Sequence, residues 1–311
     1  MTDCFCLLTC SQTISLLVDY YVSLTTNKAS AYRADAGYTG HAEPDIASDA
    51  DSIPTLIESM LSQKNAHARV ISIKQDIDID SDQFLKARRA RAKSEYPDED
   101  PDQRFPILDM RPFARERTVV ANRNMLKLHR AIQYLWREAI RHESESGHQY
   151  DYVLFMRDDS LWLSEFDLAK LLAIGDHDVY VPACDARNIP HHPQEINDHI
   201  LIAKRSFANV FGNYYSILFE TDTQECKGRL GFRDRGCNSE MLLKFVMEKS
   251  GIVAGRVGQG LIPFQRSVQF KLPDGTSKVC FHKFCQSVQD PLVADSNIDL
   301  CKNSDWRAVF Q

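Results

Sequence analysis

No stretch of the chain offers the run of about 20 mostly apolar residues that a membrane-spanning helix needs. The nearest approach, Phe5 to Val22, is interrupted by Ser, Thr and Gln and bracketed by Asp3 and Asp19. The basic start and small-residue cleavage site of a signal peptide are also missing, so the expectation is a cytosolic protein or a piece that has lost its targeting segment. Basic charge is not in excess either. The net charge is -6, which argues against a nucleic-acid binder working through a broad basic face, while leaving room for a local cluster that holds a small anion. None of the nine cysteines falls in paired C-x-x-C spacing, so a zinc site of that type is excluded. No internal repeat is visible. Asp76, Asp78, Asp80 and Asp82 alternate as in a calcium loop, but Ser81 and Ala87 stand where an EF-hand needs Gly and Glu.

What is present is ordinary for a globular chain. Hydrophobic residues make up 43% and charged residues 26% of 311 residues, enough for one large domain with a substantial core. The whole chain, 1–311, therefore reads as one domain, with a charged surface insertion at 82–117 and an irregular tail from about 262. The insertion runs basic (KARRARAK) and then acidic with prolines (EYPDEDPDQ), a composition that suits an exposed segment. The cysteines have two readings. They are buried or free thiols, or one or two disulfides form in an oxidising lumen, with Cys226–Cys237 the first candidate.

Strand and helix signals alternate along the chain. Val18 to Leu24, Arg69 to Ile73, Tyr150 to Met156, Asp178 to Ala183 and His199 to Ala203 read as strands. A helix capped by Ser52 is expected between the first two. The strongest helical signal runs from Thr118 to His142, where Leu128, Ile132, Leu135, Trp136, Ala139 and Ile140 make one apolar stripe and Gly147 closes the pattern. Ser164, with Asp167 in the capping-box place, is expected to start another helix that Gly175 ends. Ser206 to Phe211 gives a short helix, and Asn238 caps one carrying Met241, Leu242, Phe245 and Val246. Weak strand signals surround Val268 and Val279. This order predicts an α/β fold with a mostly parallel central sheet and helices on both faces. In such sheets ligands sit beyond the carboxyl ends of the strands.

The run Tyr150–Met156 (YDYVLFM) is almost wholly apolar, as a strand buried on both faces would be. Asp158 and Asp159 emerge at its end, after Arg157. Adjacent like charges are costly unless a cation offsets them, and Mg²⁺ or Mn²⁺ takes one or two carboxylates together with ligand phosphates. The plain alternative has one Asp capping the next turn and Arg157 pairing the other.

The stretch Gln149–Ser160 (QYDYVLFMRDDS) resembles the core of GT-A glycosyltransferases, which place an acidic DxD motif after a hydrophobic central strand. The helix over 122–141, the strand in Ile196–Ala203 (INDHILIA) and the helix start Asn238–Leu243 (NSEMLL) are similar in order to that family. The likeness spans roughly Val18 to Gly260 and is one of pattern. Against the DxD motif, Arg157 takes the first acidic place, Asp158 the middle one and Asp159 the most metal-directed one. The resemblance implies a Rossmann-like fold and transfer of a sugar from a nucleotide-diphosphate donor to a hydroxyl of a glycan, protein or lipid acceptor. It also implies assistance by Mn²⁺ or Mg²⁺ and residence in the Golgi lumen, the cytoplasm being the expectation otherwise. Asp158, Asp159 and His282 are then the metal-ligand candidates. Ser23, Thr25, Thr26, Arg123 and Lys127 are the nucleotide-binding candidates, and Asp198 and Glu240 the candidate bases for the acceptor hydroxyl. Two further readings stand beside this one. One is a binding module of the same fold without chemistry, which Arg157 in the motif favours. The other is a metal-dependent phosphatase using Asp76 and Asp78, which follow a strand.

Overall fold

The computed structural model describes residues 2–10, 16–25, 67–74, 83–95, 97–98, 115–157, 160–162, 166–183, 196–220, 239–258, 260–271 and 277–281. Its centre is a seven-stranded sheet. The strands are β1 (Thr2–Cys10), β2 (Leu16–Thr25), β3 (His67–Lys74), β4 (Tyr152–Arg157), β6 (Val179–Pro182), β7 (Ile200–Lys204) and β8 (Ala254–Val257), in the order β3-β2-β1-β4-β7-β6-β8. A smaller sheet joins β5 (Ser160–Trp162), β9 (Phe264–Lys271) and β10 (Ser277–Phe281) in the order β10-β9-β5. The helices are α1 (Gln83–Glu95), α2 (Arg115–Ser146), α3 (Leu168–Leu172), α4 (Arg205–Gly212), α5 (Tyr214–Glu220) and α6 (Ser239–Lys249).

The fold is mixed α/β, and its main sheet is mixed instead of mostly parallel. β1 runs against β2 and β4, and β7 runs against β4 and β6, leaving only β2·β3 and β6·β8 parallel. The reason is local. β1 and β2 are joined directly and so pair as a hairpin, which forces opposite directions. β7 then enters beside β4 from the opposite end.

Helix α2 forms because its sequence carries an apolar stripe over many turns. Leu135, Trp136 and Ala139 are fully buried, with Leu126, Leu128 and Ala131 nearly so. It stops at Gly147, whose φ of 71° places it in the left-handed region where helices commonly end. Alternate residues of the central strands face opposite ways. Val153, Phe155, Val179, Val181, Leu201 and Ala203 join α2, α4, α5 and α6 in one core. Leu154, Tyr180, Ile200, Ile202 and Val257 join Leu168 and Leu171 of α3 and Ile262 in the other.

Several expectations are corrected. Within the segment 82–117, α1 occupies 83–95, with most of its described side chains exposed and Arg91 donating to Glu95 at 2.7 Å, and α2 begins at Arg115. The cap of α3 is Asp167 itself. Its extended backbone turns the carboxylate onto the Lys170 N–H, whereas Ser164 lies outside the described residues. The weak strand signals around Val268 and Val279 correspond to two paired strands, β9 and β10, so the tail from 262 is not irregular throughout. The helix expected after Ser52, and Asn238 as a cap, lie outside the described residues. No helix among the described residues is long and apolar enough to cross a membrane.

Candidate functional site

Strand direction decides which ends meet. β2, β4, β6 and β8 finish at one edge of the sheet, here called the upper edge, and β1 and β7 start there. Asp3 of β1 stands opposite Ser23 of β2 on one side and Arg157 of β4 on the other. Ser23 in turn stands opposite Ser72, and Thr25 opposite Lys74. Neighbouring strands are about 4.8 Å apart, so the ends of β2 and β4 lie about 10 Å from one another. On the other flank Met156 is opposite Ile200, which brings the residues before β7, Asp198 among them, to the same edge.

Helix α2 runs over one face away from this edge. Near its end Glu143 accepts from the Tyr150 N–H at 3.0 Å and from Arg205, at the opposite, lower edge. Going back along the helix, His129 meets the ring of Tyr214 edge-on, with centroids 4.6 Å apart. Arg123 and Lys127 lie further in the same direction, and Lys127 is half-buried.

The residues before β7 are buried and polar. Asn197 is 0% exposed, and its Oδ1 accepts from the His199 N–H at 2.8 Å, closing a tight turn around the intervening Asp198. Asp198 Oδ1 lies 3.7 Å from His199 Nε2, an ion pair whenever the imidazole is protonated. Glu240 sits in the first turn of α6, where its backbone carbonyl accepts from the Ile196 N–H at 3.4 Å. The two candidate bases are thus on segments tied to each other. One helical turn beyond His129, Gln133 donates to Ser216 Oγ at 2.7 Å and to Asn213 Oδ1 at 3.4 Å, linking α2 to α5.

The chain matches no family model, no curated protein and no solved structure.

The structure brings together the ends of β2 and β4, carrying Ser23, Thr25 and Arg157, with Asp198 and, through the bond to Ile196, the start of α6 with Glu240. Asp158, Asp159, Thr26 and His282 lie outside the described residues, as do Asp76, Asp78, Cys226 and Cys237. Among the described residues no group of three or more His, Cys, Asp or Glu side chains is gathered as a metal site.

Two residues of this cluster went unnoticed in the sequence: Tyr214 and His129. A signal for the second was available. His129 and Gln133 are polar, four residues apart, and on the buried side of α2, where apolar residues are the rule.

Burial pushes the Tyr214 phenol well above its ordinary value near 10, and the Asp198 carboxylate raises it further. The unfolded chain releases this proton near pH 10 and the folded chain holds it, so the contribution is complete below pH 10 and is lost as pH rises beyond it. Between pH 10 and 11 the unfolding free energy is expected to fall with a slope approaching about 1.4 kcal/mol per pH unit from this group. Urea titrations across that range should show a shallower decline in Tyr214→Phe than in the wild type.

Proposed function

We propose that the protein is a glycosyltransferase of GT-A type that moves a sugar from a nucleotide-diphosphate donor to an acceptor hydroxyl. The observation that carries this reading is the shared edge. The end of β4, where Arg157 leads into Asp158 and Asp159, lies beside the end of β2 on one side and the approach to β7 with Asp198 on the other.

In this reading Ser23, Thr25 and Thr26 hold the base and ribose. Arg123 and Lys127 bring positive charge to the diphosphate, Arg in a bidentate fashion and Lys as a point charge. Asp158 and Asp159, with His282 as a third candidate, would hold Mn²⁺ or Mg²⁺. Two carboxylates supply the oxygen donors such hard cations take, and when bound the ion offsets charge on the departing diphosphate. Asp198 takes the proton of the attacking acceptor hydroxyl if configuration is inverted, with Glu240 as the alternative base. The turn that Asn197 closes fixes the backbone from which the Asp198 carboxylate extends. The acceptor is a glycan, a protein or a lipid, and the compartment that goes with this reading is the Golgi lumen.

Arg157 in the first acidic place of the motif favours a second reading, a binding module of the same kind without chemistry. A thermal-shift titration with UDP and GDP, with and without Mn²⁺, separates the two. A nucleotide at 100 times its Kd adds about 2.7 kcal/mol of stability. Stabilisation that needs Mn²⁺ and disappears in Asp159→Asn is the expected result. The absence of any shift with either nucleotide would end the transferase reading in favour of the binding module.

A further inference from the structure

Helix α1 carries five basic residues, Lys86, Arg88, Arg89, Arg91 and Lys93, against one acidic residue, Glu95, in a chain whose net charge is -6. Lys86, Arg91, Lys93 and Ser94 are exposed, and Arg89 is half-buried. The exposed pair of Arg91 and Glu95, 2.7 Å apart, stabilises a helix surface only slightly. The order within the run is more specific than its charge. Arginines two residues apart occur three times in the chain, at 89 and 91, 115 and 117, and 233 and 235. The residues three places beyond these pairs are Ser94, Val120 and Asn238, and of these only Ser94 has a hydroxyl. Basophilic protein kinases select an acceptor hydroxyl by arginines at fixed places before it, each gripped by carboxylates of the substrate groove. That groove takes its substrate as extended chain, so Ser94 has to leave the helix. It stands one residue before the end of α1, where the carbonyls have no partner within the helix and the last turn frays. Pro97 disfavours helical backbone before it, and Pro97 and Asp98 form an exposed turn. A helix of 13 residues whose described side chains are mostly exposed has little packing to lose when its end opens.

We propose that Ser94 is a phosphorylation site for a protein kinase that reads Arg91 and Arg89, three and five residues before the acceptor. ATP supplies the phosphoryl group. Ser94 Oγ forms a bond to the γ-phosphorus, the bond from that phosphorus to the β–γ bridging oxygen breaks, and ADP leaves. The hydroxyl proton passes to the carboxylate of the kinase's catalytic loop. The product adds about two negative charges at the end of α1, directly before the acidic run EYPDEDPDQ. Ser94 and Arg91 are three residues apart and so neighbours on the helix surface, which lets the phosphate compete with Glu95 for the Arg91 guanidinium. The inference does not rest on the transferase reading. No residue of the candidate site takes part, and only ATP and a kinase have to reach α1.

The test is incubation of the full chain with Mg²⁺, ATP and a purified Ser/Thr kinase that selects arginine three and five residues before its acceptor, followed by intact mass and fragment mapping. One phosphoryl group per chain is expected, on Ser94 and absent from Ser94→Ala. Arg91→Ala should lower kcat/KM for the reaction about ten- to hundredfold, the loss of one charged hydrogen-bonded pair. Lys86→Ala removes an equally exposed charge from the same helix, eight residues before Ser94, and should leave the rate unchanged. No incorporation, or incorporation that persists undiminished in Ser94→Ala, overturns the proposal. An equal loss in Lys86→Ala and Arg91→Ala overturns it too, because the kinase would then be responding to overall basicity and not to the placed arginines.

Discussion

Glu143→Ala is expected to lower the unfolding free energy by about 3–5 kcal/mol. The carboxylate sits at the lower edge of the sheet with its side chain 8% exposed, and Arg205 beside it is 13% exposed. Arg205 donates through Nε at 2.7 Å to Oε1 and through a terminal nitrogen at 2.6 Å to Oε2, a two-pronged grip, while the Tyr150 N–H fills a further lone pair. Removing the carboxylate leaves the guanidinium charge buried against the Trp136 ring, which lies 4.6 Å below it, and leaves the Tyr150 N–H unsatisfied. The loss of the pair's geometry also matters. Lysine at 205 cannot reproduce the planar fork, so Arg205→Lys should recover only part of the stability. Urea denaturation of the two single variants and the double completes a thermodynamic cycle. A coupling near zero would show that the pair contributes nothing beyond its two parts.

The second large effect comes from a methyl group. Gly212→Ala adds one at the end of α4, where helix propensity alone would favour alanine by about 1 kcal/mol. Here the sign is expected to reverse. A Cβ at 212 would stand 2.1 Å from Cγ and 2.2 Å from Cδ1 of Trp136, closer than any real contact. The indole cannot step aside cheaply. It is fully buried, donates from Nε1 to Asn209 Oδ1 at 3.2 Å, and packs on Phe155 with centroids 6.3 Å apart. Overpacking of this kind costs about 1–3 kcal/mol, read as a lower urea midpoint with an unchanged slope. Trp136→Phe in the same chain should recover part of that loss, because the smaller ring vacates the space. Simple addition of the two single losses would rule out the clash as the cause.

The parts of the fold that were legible in the sequence are those where one physical signal dominates. The stripe on α2 repeats for long enough that tertiary context cannot mask it, and the apolar run of β4 admits little else than a buried strand. The parts that were missed mix signals. β1 (TDCFCLLTC) carries Thr, Cys and an Asp among its apolar residues, so its lack of a membrane-spanning run was plain while its strand character was not. α5 (YYSILFE) is rich in aromatic and branched residues that favour strands in isolation; it is helical beside α4, from which Asn213 alone separates it. β8 is four residues long and contains Gly255, where a Cβ would meet the His177 ring at 2.4 Å. The glycine is needed for close approach, which no local pattern announces. The direction of the strands was the larger error. Alternating strand and helix signals suggested parallel neighbours, but pairing direction depends on which strands become adjacent, and β1 placed between β2 and β4 reverses it. At the candidate site, Asp198 stands out in the sequence through its acidity next to a strand. Tyr214 and His129 were overlooked because a lone aromatic and a lone histidine look alike in cores and in sites.

The position of β1 has a consequence for the order in which the protein is made. It is made well before its partner β4, which follows about 150 residues later, with Asp3 opposite Arg157. At about 5–20 residues per second, the β1–β2 hairpin waits roughly 6–25 s with one backbone edge open. During translation that edge is a template for any other extended chain nearby, and it closes only when β4 arrives. Expression yield should therefore depend on how quickly residues 26–151 are synthesised, and codon changes that slow this stretch should send more of the chain into aggregates without altering a single side chain.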